Sequence, residues 1–165
     1  MDAQGTPHDL LTNLVVTAEL QAELDGALDG LLREGGADSA ALVERSGLTL
    51  AAKGGGRTAH PAVGALVGGI FKSLKTLSGL MGEYAIRELM QKGPHSYTAL
   101  ILLETDDLLV ATFPSERLAS QVDVPLKTAA GRLAMLMSSA RQQRAPVQQG
   151  GLLDASSIDD ALGNF

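Results

Sequence analysis

The sequence predicts a mixed α/β domain of the α+β type, and three patterns carry this prediction. Leucines recur at helical spacing near the N-terminal end. Two short apolar runs on either side of residues 45–47 (Arg-Ser-Gly) are typical of a tight β-hairpin. A near-continuous apolar run with Tyr97, Thr98 and Ile101 is typical of a central strand that is buried on both faces. At 165 residues, the chain is expected to form one domain with short extensions.

The first helix and the hairpin are predicted in the N-terminal third of the chain. Residues 1–16 are treated as an extension, and a helix is predicted from residue 17 to residue 33, ended by Gly35 and Gly36. The apolar positions of this helix are Leu20, Leu24, Ala27, Leu28, Leu31 and Leu32. The hairpin covers residues 37–53, and Gly47 can take the positive φ that its turn needs.

A second helix is predicted from Pro61 to about Gly79, since proline is favoured in the first turn. At 100° per residue its larger apolar residues form one stripe, which is expected to face the core: Val63, Leu66, Val67, Ile70, Leu74, Leu77 and Met81. The opposite side carries Ala65, Gly68, Gly69, Lys72, Lys75, Thr76 and Gly79. Because glycine costs a helix about 1 kcal/mol relative to alanine, we interpret the three glycines as contacts to a second copy of this helix. The alternative is tolerance of weak helix formers in a helix held by its core stripe.

The second half of the chain is predicted to contain strands and a last helix. Residues 84–92 fit either a helix or a strand, and Gly93-Pro94 would end either element. Strands are predicted at 96–103 and 108–113, and a helix from 125 to 140. The order of elements is αββαβββα if residues 84–92 form a strand.

A polar linker and an amphipathic tail are predicted after the last helix. Residues 141–151 are polar with proline and glycine, as in a linker. In residues 152–165, Ile158, Ala161, Leu162 and Phe165 recur at helical spacing behind a pattern that resembles a capping box. This regularity favours a binding element over the alternative of a frayed solubilising end. The predicted organisation is an extension (1–16), a domain (17–140), a linker (141–151) and a tail (152–165).

The composition excludes several classes of partner and of site. The net charge of −6 and the pI near 4.9 argue against nucleic-acid binding, which needs a basic surface. The absence of cysteine excludes disulfides and thiol catalysis, and it suits a reducing cytoplasm, where we expect the protein to act. In the apolar segment 61–81 the longest uncharged stretch is 11 residues, whereas a membrane span needs about 20.

No pattern in the sequence predicts an enzyme active site, a metal site or a cofactor. Residues 64–69 with Lys72 fail as a phosphate loop, because the lysine must directly follow the last glycine. The three histidines (His8, His60 and His95) have no metal-ligand spacing and are expected to be solvated. The neighbouring pairs Asp106-Asp107 and Asp159-Asp160 are expected to be solvated charges rather than an acid–base pair.

The order of elements and three segments resemble the Roadblock (dynein light-chain) domain family. Within it, the chain is similar to bacterial gliding-motility regulators of a small Ras-like GTPase. The segments are residues 42–50 (LVERSGLTL), residues 77–83 (LSGLMGE) and residues 97–113 leading into the last helix. The resemblance covers residues 17–140, and residues 157–165 are similar to the acidic C-terminal segment of the motility regulators. It implies a five-stranded antiparallel sheet with one helix on one face and two on the other.

The resemblance also implies a function. Family members pair through the second helix and the third strand, bind a small GTPase on the paired helices, and act as GTPase-activating proteins or co-regulators. Dimer contacts are then expected at Ala65, Gly68, Gly69, Thr76 and Gly79, and GTPase contacts at Lys72, Lys75, Ile158, Leu162 and Phe165. No arginine finger carries over from the family to a residue of this chain. A non-catalytic scaffold of the same fold and a small-molecule sensor are the alternatives.

Overall fold

Helices and strands follow one another in the order αββαβββα in the computed structural model, which describes residues 14–56, 58–83, 86–117 and 119–143. The helices are α1 (Ala18–Gly35), α2 (Pro61–Met81) and α3 (Ala119–Gln142). The strands are β1 (Ser39–Val43), β2 (Thr49–Gly54), β3 (Glu88–Lys92), β4 (Ser96–Leu102) and β5 (Leu108–Pro114).

The five strands form one antiparallel sheet in the order β2-β1-β5-β4-β3. In the centre, Ala41 lies opposite Ala52 of β2 and Val110 of β5, so β1 is paired on both sides. The predicted five-stranded antiparallel sheet is confirmed. So is the strand interpretation of the segment 84–92, although β3 occupies only its last five residues and residues 84 and 85 lie outside the described part.

The two faces of the sheet carry different helices, because successive side chains of a strand point to opposite faces. On one face, α1 and α3 cover a large aliphatic core with residues such as Leu28, Leu42, Leu109, Phe113, Leu133 and Met137. On the other face, α2 covers a smaller cluster formed by Val43, Val67, Phe71, Leu100, Leu108 and Val110. This is the predicted arrangement of two helices on one face and one on the other.

The ends of the helices depart from the predictions at identifiable residues. Thr17 caps α1, and its side chain accepts a hydrogen bond from the Leu20 amide at 3.2 Å. The last helix begins at Ala119 rather than at Pro125, which lies inside it. Proline is common in the first turn of a helix, but it can also lie further inside one. Pro125 therefore did not mark the start of α3. The helix continues to Gln142, two residues into the predicted linker.

The predicted core stripe of α2 is wrong for four of its seven members. The residues of α2 that are buried are Gly64, Val67, Phe71 and Ser78, whereas Leu66, Ile70, Leu77 and Met81 are exposed. The buried face is rotated by nearly a quarter turn from the predicted one, at about 100° per residue. An apolar stripe indicates which side of a helix avoids water, but not whether its own sheet or another molecule covers that side.

Candidate functional site

The position of α2 on the sheet is set by a close approach at its first turn. A Cβ on Gly64 would lie 2.2 Å from the carbonyl oxygen of Gly47 in the β1–β2 turn, so only glycine fits there. Gly47 itself has a φ of 96°, a value that L side chains rarely adopt. The helix start is also stabilised by Pro61 and by the His60 side chain, which accepts a hydrogen bond from the Ala62 amide at 3.2 Å.

The outer surface of α2 carries an exposed apolar stripe. Its members are Leu66, Ile70, Leu77, Leu80 and Met81. Leu80 is 83% exposed and Leu66 is 67% exposed, so these side chains contribute little to the core of their own domain. A contiguous apolar surface of this kind marks an interaction site on a protein in water.

The predicted dimer residues also lie on the outer surface of α2. At about 100° per residue Ala65, Gly69 and Thr76 flank the stripe, whereas Gly68 and Gly79 lie on the opposite side of the helix from Leu66 and Leu77. Ala65, Gly69, Thr76 and Gly79 are exposed, and Gly68 is partly exposed. A Cβ added at Gly68, Gly69 or Gly79 would have no described atom within 4 Å, apart from its own chain neighbours and helix backbone. The small residues therefore leave an open surface on which another backbone could approach closely.

Lys72 and Lys75, the predicted GTPase contacts on α2, are also exposed. In the described part of the chain, neither lysine has a carboxylate within salt-bridge distance. Both charges are therefore available to a partner. The other three predicted GTPase contacts (Ile158, Leu162 and Phe165) lie outside the described residues.

Strand β3 is an open edge of the sheet next to α2. Among the described strands it pairs only with β4, so within this part of the chain its outer N–H and C=O groups are open to another strand. Leu89 of β3 packs against the cluster that contains Val67 and Phe71 of α2, so the strand and the helix border the same part of the core. Met90 of β3 is exposed as well.

A buried ionic cluster, formed by Glu44, Asp107 and Arg141, lies at one end of the sheet. Arg141 donates two parallel hydrogen bonds to Asp107, with Nη2–Oδ1 at 2.7 Å and Nη1–Oδ2 at 2.8 Å. Its Nη2 also lies 3.3 Å from Oε1 of Glu44. Hydrogen bonding to Asp107 raises the pKa of Arg141 above its already high ordinary value, burial opposes the rise, and attraction from both carboxylates adds to it.

The burial of Asp107 corrects the prediction that the pair Asp106-Asp107 is solvated. The side chain of Asp107 has no exposed surface, and that of Glu44 is 1% exposed. Backbone amides stabilise both carboxylates: the Arg45 amide donates to Asp107 at 3.2 Å, and the Ser46 amide donates to Glu44 at 2.8 Å. The cluster therefore joins the two strand turns to the last turn of α3. No local sequence pattern reveals the cluster, because its members are far apart along the chain.

Metal-ligand clusters and membrane-spanning helices are both absent from the described residues. Among them, no three histidine, aspartate or glutamate side chains cluster as metal ligands. The carboxylates of the buried cluster are occupied by Arg141 and by backbone amides, which fits a structural role. In the same part of the chain, no helix is both long enough and apolar enough to span a bilayer.

Comparison with known proteins places this architecture among solved structures. No protein-family model and no curated protein matches the sequence. The gliding protein MglB of Thermus thermophilus is 26% identical, with a TM-score of 0.70 over 77% of this chain and 97% of that one. A structure described as MglB with tetrameric arrangement is 26% identical, with a TM-score of 0.71 over 77% of this chain and 96% of that one.

A more distant structure has the same fold. The Roadblock/LC7 domain of Streptomyces avermitilis is 19% identical, with a TM-score of 0.54 over 72% of this chain and 95% of that one. The described elements of this chain therefore form a Roadblock-type fold that is similar to the MglB structures.

Proposed function

We propose that this chain, a Roadblock-fold protein similar to the MglB gliding proteins, is a homodimeric regulator of a bacterial small Ras-like GTPase. In this proposal the dimer accelerates GTP hydrolysis by its partner and has no active site of its own. It acts in the cytoplasm, as part of a motility or polarity system. The observation that carries the proposal is the exposed apolar stripe of α2 beside the open edge β3.

A second copy of the chain would cover both the apolar stripe of α2 and the open edge of β3. A two-fold axis beside β3 would pair the edge with its own copy and extend the sheet across two subunits. The same axis would bring the two α2 helices together along the stripe, with Ala65, Gly69 and Thr76 at the margin of the contact. Pairing through Gly68 and Gly79 would instead use the other side of the helix. A similar MglB structure is described as having a tetrameric arrangement, which supports self-association.

The glycine contacts can be tested with Gly68→Leu. A side chain at this position meets no described atom within 4 Å, so the fold of one subunit should tolerate it. If the helices pair through Gly68 and Gly79, the variant should separate them and raise the dimer dissociation constant, measured by sedimentation, about tenfold. A matched substitution, Gly30→Leu, fills an equally open helical position on α1 and should leave the dimer unchanged. An unchanged dimer for Gly68→Leu would place the contact elsewhere.

The GTPase would bind across the paired α2 helices, where Lys72 and Lys75 present free positive charge on an acidic chain. Phosphoryl transfer depends on positioning and electrostatic stabilisation, so a partner that holds the switch loops of the GTPase in place can lower the barrier without supplying a catalytic group. The tail (152–165) would make the second contact through Ile158, Leu162 and Phe165.

The experiment that tests this function measures binding and GTP hydrolysis with candidate small GTPases loaded with GTP or with GDP. The double variant Lys72→Glu/Lys75→Glu should slow association about tenfold at low salt and reduce its salt dependence, because exposed charges act mainly on encounter. The control Arg33→Glu/Arg132→Glu makes the same change in net charge on the other face and should have little effect. Equal association rates for both double variants would show that the GTPase does not bind on the α2 surface.

Turnover separates a GTPase-activating protein from a scaffold. If the dimer binds the GTP-loaded form and hydrolysis is not accelerated, the scaffold alternative is correct. If it binds neither loaded form of any candidate, the GTPase proposal fails as a whole, although the dimer proposal remains testable by sedimentation.

The tail is tested by a chain that ends at Gln143. Tethering makes a second contact intramolecular, so its removal should weaken GTPase binding about tenfold or more while the dimer remains intact. A full-length variant with Ile158, Leu162 and Phe165 replaced by serine should behave like the truncated chain, because it keeps length and charge but loses the apolar stripe. If both variants bind the GTPase as tightly as the wild type does, the tail is only a solubilising end.

A further inference from the structure

An open groove of about 890 Å³ lies beside α3, on the face of the sheet that α1 and α3 cover. Its floor includes Ile101 and Leu103, and its helical wall includes Ala130, Gly131, Ala134 and Met135. Met135 is 75% exposed, although it stands beside the aliphatic floor. Ile101 and Leu103 are only 8% and 3% exposed, so in the described part of the chain the groove presents Met135 and the small residues of α3 above a nearly buried apolar floor.

The shape of the groove suits a helix. The wall residues Ala130, Gly131, Ala134 and Ser138 have small side chains, which hold the wall back and leave room between α3 and the sheet. The groove runs along α3 from Lys127 to Gln142, a length of about 22 Å at 1.5 Å per residue. Amphipathic helices bind in such grooves through apolar residues at i, i+4 and i+7.

We propose that this groove is the docking site of the tail (152–165) of the same chain in the free protein. As a helix, these 14 residues would be about 21 Å long, which matches the groove. Ile158, Leu162 and Phe165 have the spacing that a helix in a groove needs, and they would pack against Met135 and the small residues of α3.

The path of the chain leads to this site. Gln142, at the end of α3, is itself part of the groove wall, and the buried ionic cluster holds Arg141 next to it. The eight residues from 144 to 151 have a reach of about 16 Å as a flexible linker. That is ample for a turn back along α3, and it gives the tail a direction antiparallel to α3.

The charges along the groove fit this antiparallel direction. Glu104 lies at the Gln142 end, where the partly positive N-terminus of the tail helix would lie. Lys127 lies at the other end, beside the partly negative C-terminus of that helix, and its ammonium also donates a hydrogen bond to Asp123 at 3.0 Å. Arg87 and Glu88 also line the groove with opposite charges, and the nearby charge of Arg141 is engaged by Asp107 and Glu44.

The test uses the absence of cysteine from the chain, which gives engineered thiols no background. The pair Ala134→Cys/Leu162→Cys places one thiol in the groove and one in the tail of the otherwise complete protein. Mild oxidation should form a disulfide within one chain, identified by mass spectrometry, at least ten times faster than in the control pair Ser73→Cys/Leu162→Cys. Ser73 is exposed on α2, on the opposite face of the sheet. Equal rates for the two pairs, or a bond that mainly joins two chains, would overturn the proposal.

A groove-filling variant gives an independent readout. Gly131 lines the groove, and a Cβ there meets no described atom within 4 Å, so Gly131→Gln should fill the groove without disturbing the core. Added to the groove pair, it should slow disulfide formation about tenfold, whereas Gly30→Gln on α1 should not. An unchanged rate with Gly131→Gln would contradict docking in this groove.

Docking in the free protein does not depend on the GTPase role, and no GTPase takes part in these measurements. If both proposals hold, a bound GTPase draws the tail out of the groove. Addition of the GTP-loaded partner should then slow the disulfide of the groove pair.

Discussion

Replacing Arg141 with methionine should destabilise the domain by about 3 kcal/mol, because it leaves Asp107 and Glu44 buried without their shared cation. Removal of one partner of a buried ion pair commonly costs this much, since the remaining charge is neither solvated nor paired. For a chain of this size the melting temperature should fall by roughly 10 °C. Thermal unfolding at a fixed protein concentration measures the change, because dimerisation also affects the midpoint.

Arg45→Met is the matched control for this variant. Arg45 contacts the same carboxylate, with its Nε 3.5 Å from Oε1 of Glu44, but its side chain is 54% exposed. An exposed ion pair contributes about 0–1 kcal/mol, so the control should lose only a few degrees. Arg141→Lys keeps the charge and loses the two parallel hydrogen bonds to Asp107, and it should fall between the two. Equal losses for Arg45→Met and Arg141→Met would show that the cluster is not anchored by Arg141.

The double variant Leu66→Glu/Leu77→Glu should raise the dimer dissociation constant at least 100-fold. Each substitution occurs twice in a two-fold interface, so the loss of apolar burial and the cost of desolvating new carboxylates are both counted twice. A total of about 3 kcal/mol already corresponds to the 100-fold effect. Analytical ultracentrifugation over a range of concentrations should show monomers where the wild type is dimeric.

The monomer produced in this way should remain folded, since Leu66 and Leu77 are both exposed in the single subunit. Circular dichroism of the double variant should therefore retain the helix and strand signal of the wild type. The control Val15→Glu/Val124→Glu replaces two other exposed apolar side chains and should leave the dimer intact. A double variant that still sediments as a dimer would show that the α2 stripe is not part of the dimer interface.

Sequence periodicity was enough to determine most of the fold. The leucines of α1 recur at helical spacing, and Leu24, Leu28 and Leu31 are all buried in the structure. The hairpin could be recognised from Gly47, because its turn requires a φ that glycine adopts without strain. Such signals are local: a residue's neighbours along the chain establish its helix face or turn position before any tertiary contact forms. The strand β3 was the exception. Its residues fit either a helix or an edge strand, and only the resemblance to the Roadblock family favoured the strand.

Only the tertiary structure decided which side of α2 meets the sheet. The helix has more apolar residues than one sheet face can cover, and the contact of Gly64 with the carbonyl of Gly47 sets its rotation. Phe71 consequently faces the core, and Leu66 and Leu77 face outward. No local rule distinguishes an apolar residue that packs inside its own domain from one that another molecule covers.

The tertiary structure alone also decided the state of Asp107. An aspartate in a turn is solvated unless partners arrive from elsewhere in the fold. Here Arg141 lies 34 residues away along the chain from Asp107 and 97 residues away from Glu44. The sequence determined which segments become helices and strands, because that depends on neighbouring residues. Burial of a charge depends on groups that only the completed fold brings within hydrogen-bonding distance.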